Sequence, residues 1–302
     1  MRDILYYGAT AKHLQLAGHP IEKTIFPDGE ISIRVAHSVE NRVVCYVQST
    51  APPVHDHLFE LLMTVAALKQ MRPKKMILMM PYFGYSRQNR LEDGGSIVSA
   101  QVVAELIGRS GIDALITLDL HAPELVSVFP VPVYQISPEC FLLRHIVAHV
   151  DKQSCVLVAP DKGAVARVQR LGRLLNMGTV ILDKTRMDFH SVYTRHVVGA
   201  VSGKHCLIVD DMIDSGKTLI AATEQVLKQG ATGVHALATH GVFSGRAIAN
   251  LADSPLQSVT VSNSIDQARL LGKDKFKVIN LQELISFYAK REKKTAEYSV
   301  LS

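Results

Sequence analysis

The segment from Asp210 to Thr218 carries the residue types best suited to binding a small, negatively charged molecule. It reads Asp-Asp-Met-Ile-Asp-Ser-Gly-Lys-Thr and follows the apolar run Leu207–Val209. Two carboxylates at the end of a predicted strand precede a short Ser/Gly/Thr loop and the start of a predicted helix. The N–H groups of such a loop and of the helix N-terminus bind anions. The pattern predicts a site for a sugar phosphate, built from Asp210, Asp211, Asp214, Ser215, Gly216, Lys217 and Thr218.

This segment does not have the spacing of a nucleotide P-loop. That motif needs a glycine five positions before Gly216, and Asp211 stands there. Two acids directly before the loop would repel a polyphosphate but suit a hydroxyl-bearing ligand or a magnesium ion beside a monophosphate. An ordinary turn capped by Asp214 is the alternative interpretation.

Two loops in the first half have residue types that suit a nucleotide. In Phe26-Pro27-Asp28-Gly29-Glu30, the aromatic ring could stack on a purine, and the carboxylates could accept from an amine or a hydroxyl. The alternative is a tight turn, since proline and glycine are turn residues. The second loop is basic and contains Arg87, Gln88 and Arg90. Its guanidinium groups fit phosphate oxygens; the alternative is a basic loop that is simply solvated.

His121 and Asp161 occupy matching positions after predicted strands in the two halves. His121 follows Asp119 at the end of one strand, and Asp161 follows the strand that ends at Val158. Both positions suit contact with a metal–nucleotide complex. A carboxylate is the more usual magnesium ligand, so the physical case is stronger for Asp161. His145 and His149, four residues apart on a predicted helix, have no third ligand nearby and are interpreted as ordinary core or surface histidines.

Short β-rich runs alternate with helical patterns, which predicts parallel sheets with crossover helices. At 302 residues the chain is long enough for two domains, and we place the boundary near Pro138, giving domains 1–138 and 139–302. The final helix could pack back on the first domain. The predicted strands cover 42–47, 76–80, 114–118, 154–158, 179–182, 206–209 and 234–239; the predicted helices cover 56–70, with Asp56 as N-cap, 99–107, 165–175 and 219–228.

Composition narrows the class of protein. The chain is 47% hydrophobic and 20% charged, which excludes a disordered or collagen-like protein. It has no run long enough for a membrane helix and no secretory signal, so we expect a cytosolic protein. The four cysteines indicate neither a disulfide framework nor a zinc site. A net charge of +5 suits anionic small molecules and does not call for nucleic acid.

The chemistry-bearing segments together resemble one known family. Asp210–Thr218 resembles the phosphoribosyl-binding loop of type I phosphoribosyltransferases. Six other segments follow in the order typical of ribose-phosphate pyrophosphokinases. They are Phe26–Glu30, Asp56–Leu62, Pro81–Arg90, Asp119–Ala122, Pro160–Gly163 and Lys184–Arg186.

The resemblance implies an α/β protein with two similar parallel-sheet domains of the type I phosphoribosyltransferase-like fold. It implies transfer of the diphosphoryl group of ATP to the C1 hydroxyl of ribose 5-phosphate, giving 5-phosphoribosyl 1-diphosphate and AMP. Mg²⁺ would be the cofactor, with His121 and Asp161 at the metal. Lys184 and Arg186 would be catalytic residues on a mobile loop, and Arg186 would also bind ribose 5-phosphate. ATP would be bound by Phe26, Asp28, Gly29, Glu30, Arg87, Gln88 and Arg90. The family also implies a homo-oligomer, a dimer or a hexamer built from dimers.

The chain departs from the family pattern at four positions, namely Asn89, Tyr134, Ala164 and Lys217. Two alternatives therefore stay open. A phosphoribosyltransferase would use the same Asp210–Thr218 loop, and a regulatory paralogue would keep the fold without catalysing the reaction. Intact Lys184 and Arg186 favour an active synthase.

Overall fold

The computed structural model describes residues 4–91, 95–185 and 194–290. The chain divides into two compact units. Unit 1 contains the residues up to Ser137, Asn263–Asp266 and the segment that begins at Asn280, and unit 2 contains Pro138–Ser262 and Gln267–Ile279. The second unit is therefore not the continuous domain 139–302 that the sequence suggested, because two segments within that range belong to unit 1.

Unit 1 is built on a six-stranded sheet in which every neighbouring pair is parallel, in the order β2-β1-β5-β6-β7-β8. A separate antiparallel hairpin is formed by β3 and β4. The strands are β1 Ile4–Tyr7, β2 His19–Pro20, β3 Glu22–Ile25, β4 Ile31–Arg34, β5 Val43–Val47, β6 Lys75–Met80, β7 Ala114–Leu118 and β8 Val133–Ile136, and the helices are α1 Val54–Gln70 and α2 Ser99–Arg109.

The apolar face of α1 packs on this sheet as its periodicity predicts. Leu61, Val65 and Leu68 are fully buried in the unit 1 core. The helix begins earlier than expected, with Pro53 at the N-cap, so Asp56 lies within the first turn. A carboxylate there still favours the helix because it faces the positive end of the helix dipole.

Unit 2 contains a seven-stranded sheet in the order β11-β10-β9-β12-β13-β14-β15. All its pairs are parallel except β10–β11. The strands are β9 Cys155–Ala159, β10 Thr179–Thr185, β11 Thr194–Val198, β12 His205–Ile213, β13 Gly233–Gly241, β14 Ser258–Ser262 and β15 Phe276–Ile279. The helices are α3 Glu139–His149, α4 Val165–Leu175, α5 Lys217–Lys228 and α6 Ala247–Asp253, and α7 Gln282–Lys290 belongs to unit 1.

The two sheets share one strand order. Numbered by appearance within each sheet, with antiparallel β11 left out, both read 2-1-3-4-5-6. The fold is therefore α/β with two similar parallel-sheet domains, as the sequence predicted. The order reverses between β1 and β5 in unit 1 and between β9 and β12 in unit 2. In open α/β sheets, ligands bind at the carboxyl ends of the strands at such a reversal.

Three strands are longer than their apolar runs predict. β10 continues to Thr185, β12 to Ile213 and β13 to Gly241. The reason lies in the pairing: Met212 and Ile213 of β12 are in register with His240 and Gly241 of β13. Asp210 and Asp211 therefore lie on β12 itself rather than after it.

Three of the four cysteines, Cys45, Cys155 and Cys206, are buried, and none of the four forms a disulfide. Burial raises the pKa of the Cys206 thiol to about 12, so this thiol stays protonated at neutral pH. Among the helices within the described ranges, none has the length and apolarity required to cross a membrane.

Candidate functional site

Asp161 stands at the strand-order reversal of unit 2, directly after β9 and Pro160. Its Oδ1 accepts hydrogen bonds from the N–H groups of Gly163 at 2.9 Å and Ala164 at 3.4 Å. This caps the turn that leads into α4. The carboxylate is therefore held at a fixed position on the edge, with its second oxygen outside these capping bonds.

Asp210 and Asp211 lie beside it, on the neighbouring strand β12. Asp211 is buried, and its N–H donates to Oδ1 of Asp210 at 2.9 Å. Burial raises the pKa of Asp210 well above its usual value, and the carboxyls of Asp211 and Asp161 raise it further. A buried carboxyl whose ionisation two neighbouring acids oppose suits a ligand that brings positive charge or hydroxyl donors.

Gly216 is the N-cap of α5 and forms the bend of the loop. Its φ of 76° is in the left-handed region, and a Cβ there would come 3.0 Å from Cγ of Leu251. Only glycine fits without strain. The first-turn N–H groups of a helix have no intrahelical partner, so this end of α5 presents donors to an anion. The N-cap of α5 is Gly216 and not Asp214 as the turn interpretation expected, and no side chain of the described residues caps the helix.

Asp214 is held by a residue that the sequence analysis did not single out. Ser244, in the loop after β13, donates its hydroxyl hydrogen bond to Oδ1 of Asp214. Arg269 fixes that loop, because its guanidinium donates to the carbonyls of Val242 and Phe243 and lies 5.6 Å from the Phe243 ring centre. No local sequence pattern marks Ser244; it reaches Asp214 because β12 and β13 are paired, so the loops that follow them are adjacent.

Of the two predicted catalytic residues, Lys184 and Arg186, the structure describes only the backbone of the first. Lys184 lies within β10, in register with Arg195 of β11. The backbone of Lys184 therefore lies in a strand and not in a loop, because β11 pairs with β10 as far as Thr185. Arg186 lies outside the described residues.

In unit 1, the loop that follows β6 and the loop that follows β7 meet at the carboxyl edge of the sheet. The loop after β6 is anchored at its root, where the N–H of Gly84 donates to Thr50 Oγ1 at 2.7 Å. Arg87, Gln88 and Arg90 are exposed beyond that root. Arg90 Nη2 lies 3.6 Å from Oε1 of Glu124, three residues after the exposed His121. Such an exposed ion pair is weak, so the guanidinium remains available to phosphate oxygens.

Phe26–Glu30 is the turn of the β3–β4 hairpin. The N–H of Phe26 donates to the carbonyl of Glu30 at 2.8 Å, and the N–H of Glu30 donates to Asp28 Oδ1 at 3.0 Å. Gly29 has a φ of 93°. Phe26 keeps 46% of its surface exposed, so its ring is presented rather than packed. The turn interpretation is correct and leaves the ring free to stack on a ligand.

The equivalent reversal in unit 1 is filled by the protein itself. Thr10 Oγ1 donates to Gln48 Oε1 at 2.9 Å and accepts from the N–H of Ser49 at 2.7 Å. Ser49 Oγ in turn bonds the carbonyl of Ser264, in a later segment of the same unit. The matching place in unit 1 is thus a closed, hydrogen-bonded crevice, whereas in unit 2 the start of α5 presents its first-turn N–H groups.

Comparison with known proteins identifies the family. A family model described as the N-terminal domain of ribose phosphate pyrophosphokinase matches residues 7–111. One described as the phosphoribosyl synthetase-associated domain matches residues 193–301. A ribose-phosphate pyrophosphokinase from Agrobacterium fabrum is 40% identical over 80% of this chain and 77% of its own length. The chain belongs to the ribose-phosphate pyrophosphokinase family.

Other members agree with this chain over most of its length. A ribose-phosphate pyrophosphokinase from Caldanaerobacter subterraneus is 36% identical over 91% of this chain and 87% of its own. The crystal structure of phosphoribosylpyrophosphate synthetase from Mycobacterium smegmatis superposes with a TM-score of 0.88 and 29% identity, covering 96% of this chain and 98% of that one. Family membership decides against a phosphoribosyltransferase that makes nucleotides from free bases.

The departures from the ribose-phosphate pyrophosphokinase pattern are accommodated locally. Asn89 donates its side-chain N–H to Glu124 Oε1 at 3.2 Å, so the loop keeps a polar contact without a charge. Ala164 is buried, and the Asp161 cap uses only its backbone N–H. Lys217 is exposed at the first position of α5. Tyr134 lies on β8 and is partly buried.

Proposed function

We propose that the chain transfers the β,γ-diphosphoryl group of ATP to ribose 5-phosphate. The C1 hydroxyl oxygen attacks the β-phosphorus, the bond from that phosphorus to the α–β bridging oxygen breaks, and AMP leaves. The observation that carries the proposal is the anion cradle at the start of α5 beside three carboxylates. A coupled assay for AMP release from ATP, ribose 5-phosphate and Mg²⁺ tests it: no AMP, or consumption of a free base instead, refutes it.

Ribose 5-phosphate binds at the carboxyl edge of unit 2 in this proposal. The N–H groups at the start of α5 and the hydroxyls of Ser215 and Thr218 hold the 5-phosphate, with Lys217 adding a positive charge. Asp210 and Asp211 accept hydrogen bonds from the ribose hydroxyls, and Asp214 orients the loop. Charge-assisted bonds of this kind contribute about 1.5–3 kcal/mol each, enough to fix the position of C1.

ATP binds through the loops of unit 1. The exposed ring of Phe26 stacks on the adenine, and Asp28, Gly29 and Glu30 present polar groups beside it. The guanidinium groups of Arg87 and Arg90, with the amide of Gln88, hold the phosphates. Lys184 and Arg186 then neutralise charge on the group in transfer, since phosphoryl-type transfer relies on positioning and charge stabilisation.

Mg²⁺ is the proposed cofactor, and the donor set fits it. No group of three potential ligands within the described ranges has metal-binding geometry. Mg²⁺ commonly takes one or two protein ligands and completes its shell with phosphate oxygens and water. Asp161, held by its capping bonds, supplies a carboxylate, and exposed His121 contacts the metal–nucleotide complex. When bound, the ion supplies positive charge to the phosphate oxygens.

Substituting Asp210 with asparagine should stabilise the unliganded protein at neutral pH. The pKa of Asp210 is raised in the folded state, so stability falls as pH rises from its ordinary pKa to the raised one. Asparagine does not titrate and avoids this loss. Asp210→Asn should therefore unfold at a higher temperature than the parent near pH 7.5, and the difference should shrink as pH is lowered toward about 4. A lower unfolding temperature at pH 7.5 contradicts the argument.

Removing the Ser244 hydroxyl should raise the KM for ribose 5-phosphate with little change in kcat. The hydroxyl holds Asp214 but touches no reacting atom, so its loss of about 1 kcal/mol corresponds to a roughly fivefold effect. Steady-state kinetics of Ser244→Ala measures this, and Ser244→Thr should restore the KM. Ser254→Ala, which loses a bond to the Leu251 carbonyl, is the matched control. An equal rise in KM for both alanine variants contradicts the positioning role.

The active form is proposed to be a homo-oligomer, either a dimer or a hexamer built from dimers. At the β3–β4 turn, 63% of the surface of Ile25 and 46% of the surface of Phe26 are accessible. This exposure supports an arrangement in which the Phe26–Glu30 loop of one subunit completes the site of a neighbouring subunit. Specific activity should then fall on dilution together with the mass measured by light scattering. A fully active monomer contradicts the shared site. A cytosolic location remains a prediction.

A further inference from the structure

Unit 2 contains a cavity of about 460 Å³ at the edge of its sheet opposite the Asp210–Thr218 loop. It opens at the amino ends of the strands, where His205 begins β12 and Ser258 begins β14. The C-terminal part of α3 borders it. Its volume is in the range of small-molecule sites, and the proposed reaction uses none of its residues.

Four histidines line this cavity as two stacked pairs. The ring centres of His145 and His149 are 4.5 Å apart with a 24° angle between planes, and those of His205 and His235 are 5.9 Å apart at 28°. Nδ1 of His149 lies 2.9 Å from the carbonyl of His145 and must donate to it. Nδ1 of His235 is 2.8 Å from Ser258 Oγ. These bonds fix both rings, which leaves each with a second nitrogen for another partner.

Lys277 also lines the cavity, and its charge opposes protonation of the histidines His145 and His235. The pKa of His145 is lowered to about 4 by burial and then by His149 and Lys277. Burial, His205 and Lys277 similarly lower the pKa of His235. Both rings are therefore neutral at physiological pH in the unliganded protein.

The other titratable groups that line the cavity do not cancel this repulsion. Asp151 keeps its negative charge, because hydrogen bonds from Ser154 Oγ at 2.7 Å and from the N–H of Gln153 at 3.1 Å lower its pKa. The cavity histidine that it attracts is His205, not His145 or His235. Asp274 is exposed at the rim. Burial raises the pKa of the Cys155 thiol to about 11, so this thiol is uncharged.

We propose that this cavity is a proton-linked binding site for a divalent oxyanion, in the form of sulfate, phosphate or a phosphate monoester. An oxyanion between the two histidine pairs and Lys277 accepts hydrogen bonds from imidazolium and ammonium groups. It thereby offsets the repulsion that, together with burial, keeps His145 and His235 neutral. A transition metal is disfavoured, since no three potential ligands in the described part of the chain have the required geometry.

The sign of the pH dependence follows from the charge. A bound anion favours the protonated rings and raises their pKa, so binding takes up protons. By linkage, each proton taken up strengthens binding about tenfold for each pH unit by which the solution is acidified, until the free rings are themselves protonated. The site should be weak near pH 7.5 and strong near pH 5.5.

Sulfate is the decisive probe because it stays divalent across this range. Full-length protein with isotope-labelled histidine is titrated with sodium sulfate near pH 7.5 and pH 5.5, and the imidazole C–H signals are followed by NMR. Signals are assigned with His145→Gln, His149→Gln, His205→Gln and His235→Gln. We expect sulfate to bind at least about tenfold more tightly at the lower pH and to raise the titration midpoints of His145 and His235.

Lys277→Gln and Lys228→Gln form the matched pair of variants, because both lysines are exposed and only Lys277 lines the cavity. Lys277→Gln should weaken sulfate binding several-fold, and Lys228→Gln should not. Equal binding by both variants, or sulfate binding that leaves the four histidine signals unmoved, overturns the proposal. A shift of the histidine signals caused by Zn²⁺ but not by sulfate also overturns the proposal. Repeating the titration with inorganic phosphate and with AMP distinguishes a free anion from a phosphate monoester, and neither readout depends on enzymatic activity.

Discussion

Replacing Lys184 with alanine should lower kcat by a few hundredfold. The lysine is proposed to neutralise negative charge that develops as the diphosphoryl group leaves AMP. Removing one preorganised donor of this kind costs about 3–4 kcal/mol in the transition state. Because the interaction forms mainly in the transition state, the KM values for ATP and ribose 5-phosphate should change much less than kcat. Steady-state AMP release measures both parameters.

The matched control is Lys228→Ala, on the exposed end of α5. It removes the same charge from the same unit and should leave kcat within about twofold, as surface substitutions are usually near neutral. Circular dichroism should show that both variants fold. If Lys184→Ala retained near-normal turnover, the assignment of this lysine to the reaction would be wrong.

Replacing Gly216 with alanine should raise the KM for ribose 5-phosphate by about tenfold to a hundredfold. The glycine has a φ of 76°, and the new Cβ would meet the Leu251 side chain at 3.0–3.2 Å. The bend must shift to relieve both conflicts, which moves the first-turn N–H groups of α5 away from the phosphate. Losing one charge-assisted hydrogen bond costs about 1.5–3 kcal/mol, which corresponds to that change in affinity.

Gly203→Ala separates the effect of backbone strain from the effect on the cradle. Gly203 has a similar φ of 69°, but a Cβ there meets no atom within 4 Å. Both variants should lose about 1–2 kcal/mol of stability from the left-handed conformation. Only Gly216→Ala should change the KM. A KM change shared by both would show that strain, and not the cradle, is responsible.

Local periodicity was sufficient to predict elements whose burial is regular. The helix Val165–Leu175 and the strand Ala114–Leu118 have the predicted bounds, because their apolar side chains repeat with the period of one element packed on one core. Strand ends were predicted less well. β12 and β13 continue past their apolar runs because each supplies the other's hydrogen-bonding partners.

The sequence by itself predicted the chemistry proposed for the Asp210–Thr218 loop, since Asp210, Asp211, Gly216 and the start of α5 lie in one short segment whose local spacing suggests an anion site. The tertiary structure decided what residues distant in sequence do together. It closes the unit 1 reversal with Thr10 and Gln48, places Ser244 on Asp214, and brings His149 and His235 to one cavity. Side-chain contacts across strands depend on register and packing, which no local pattern encodes.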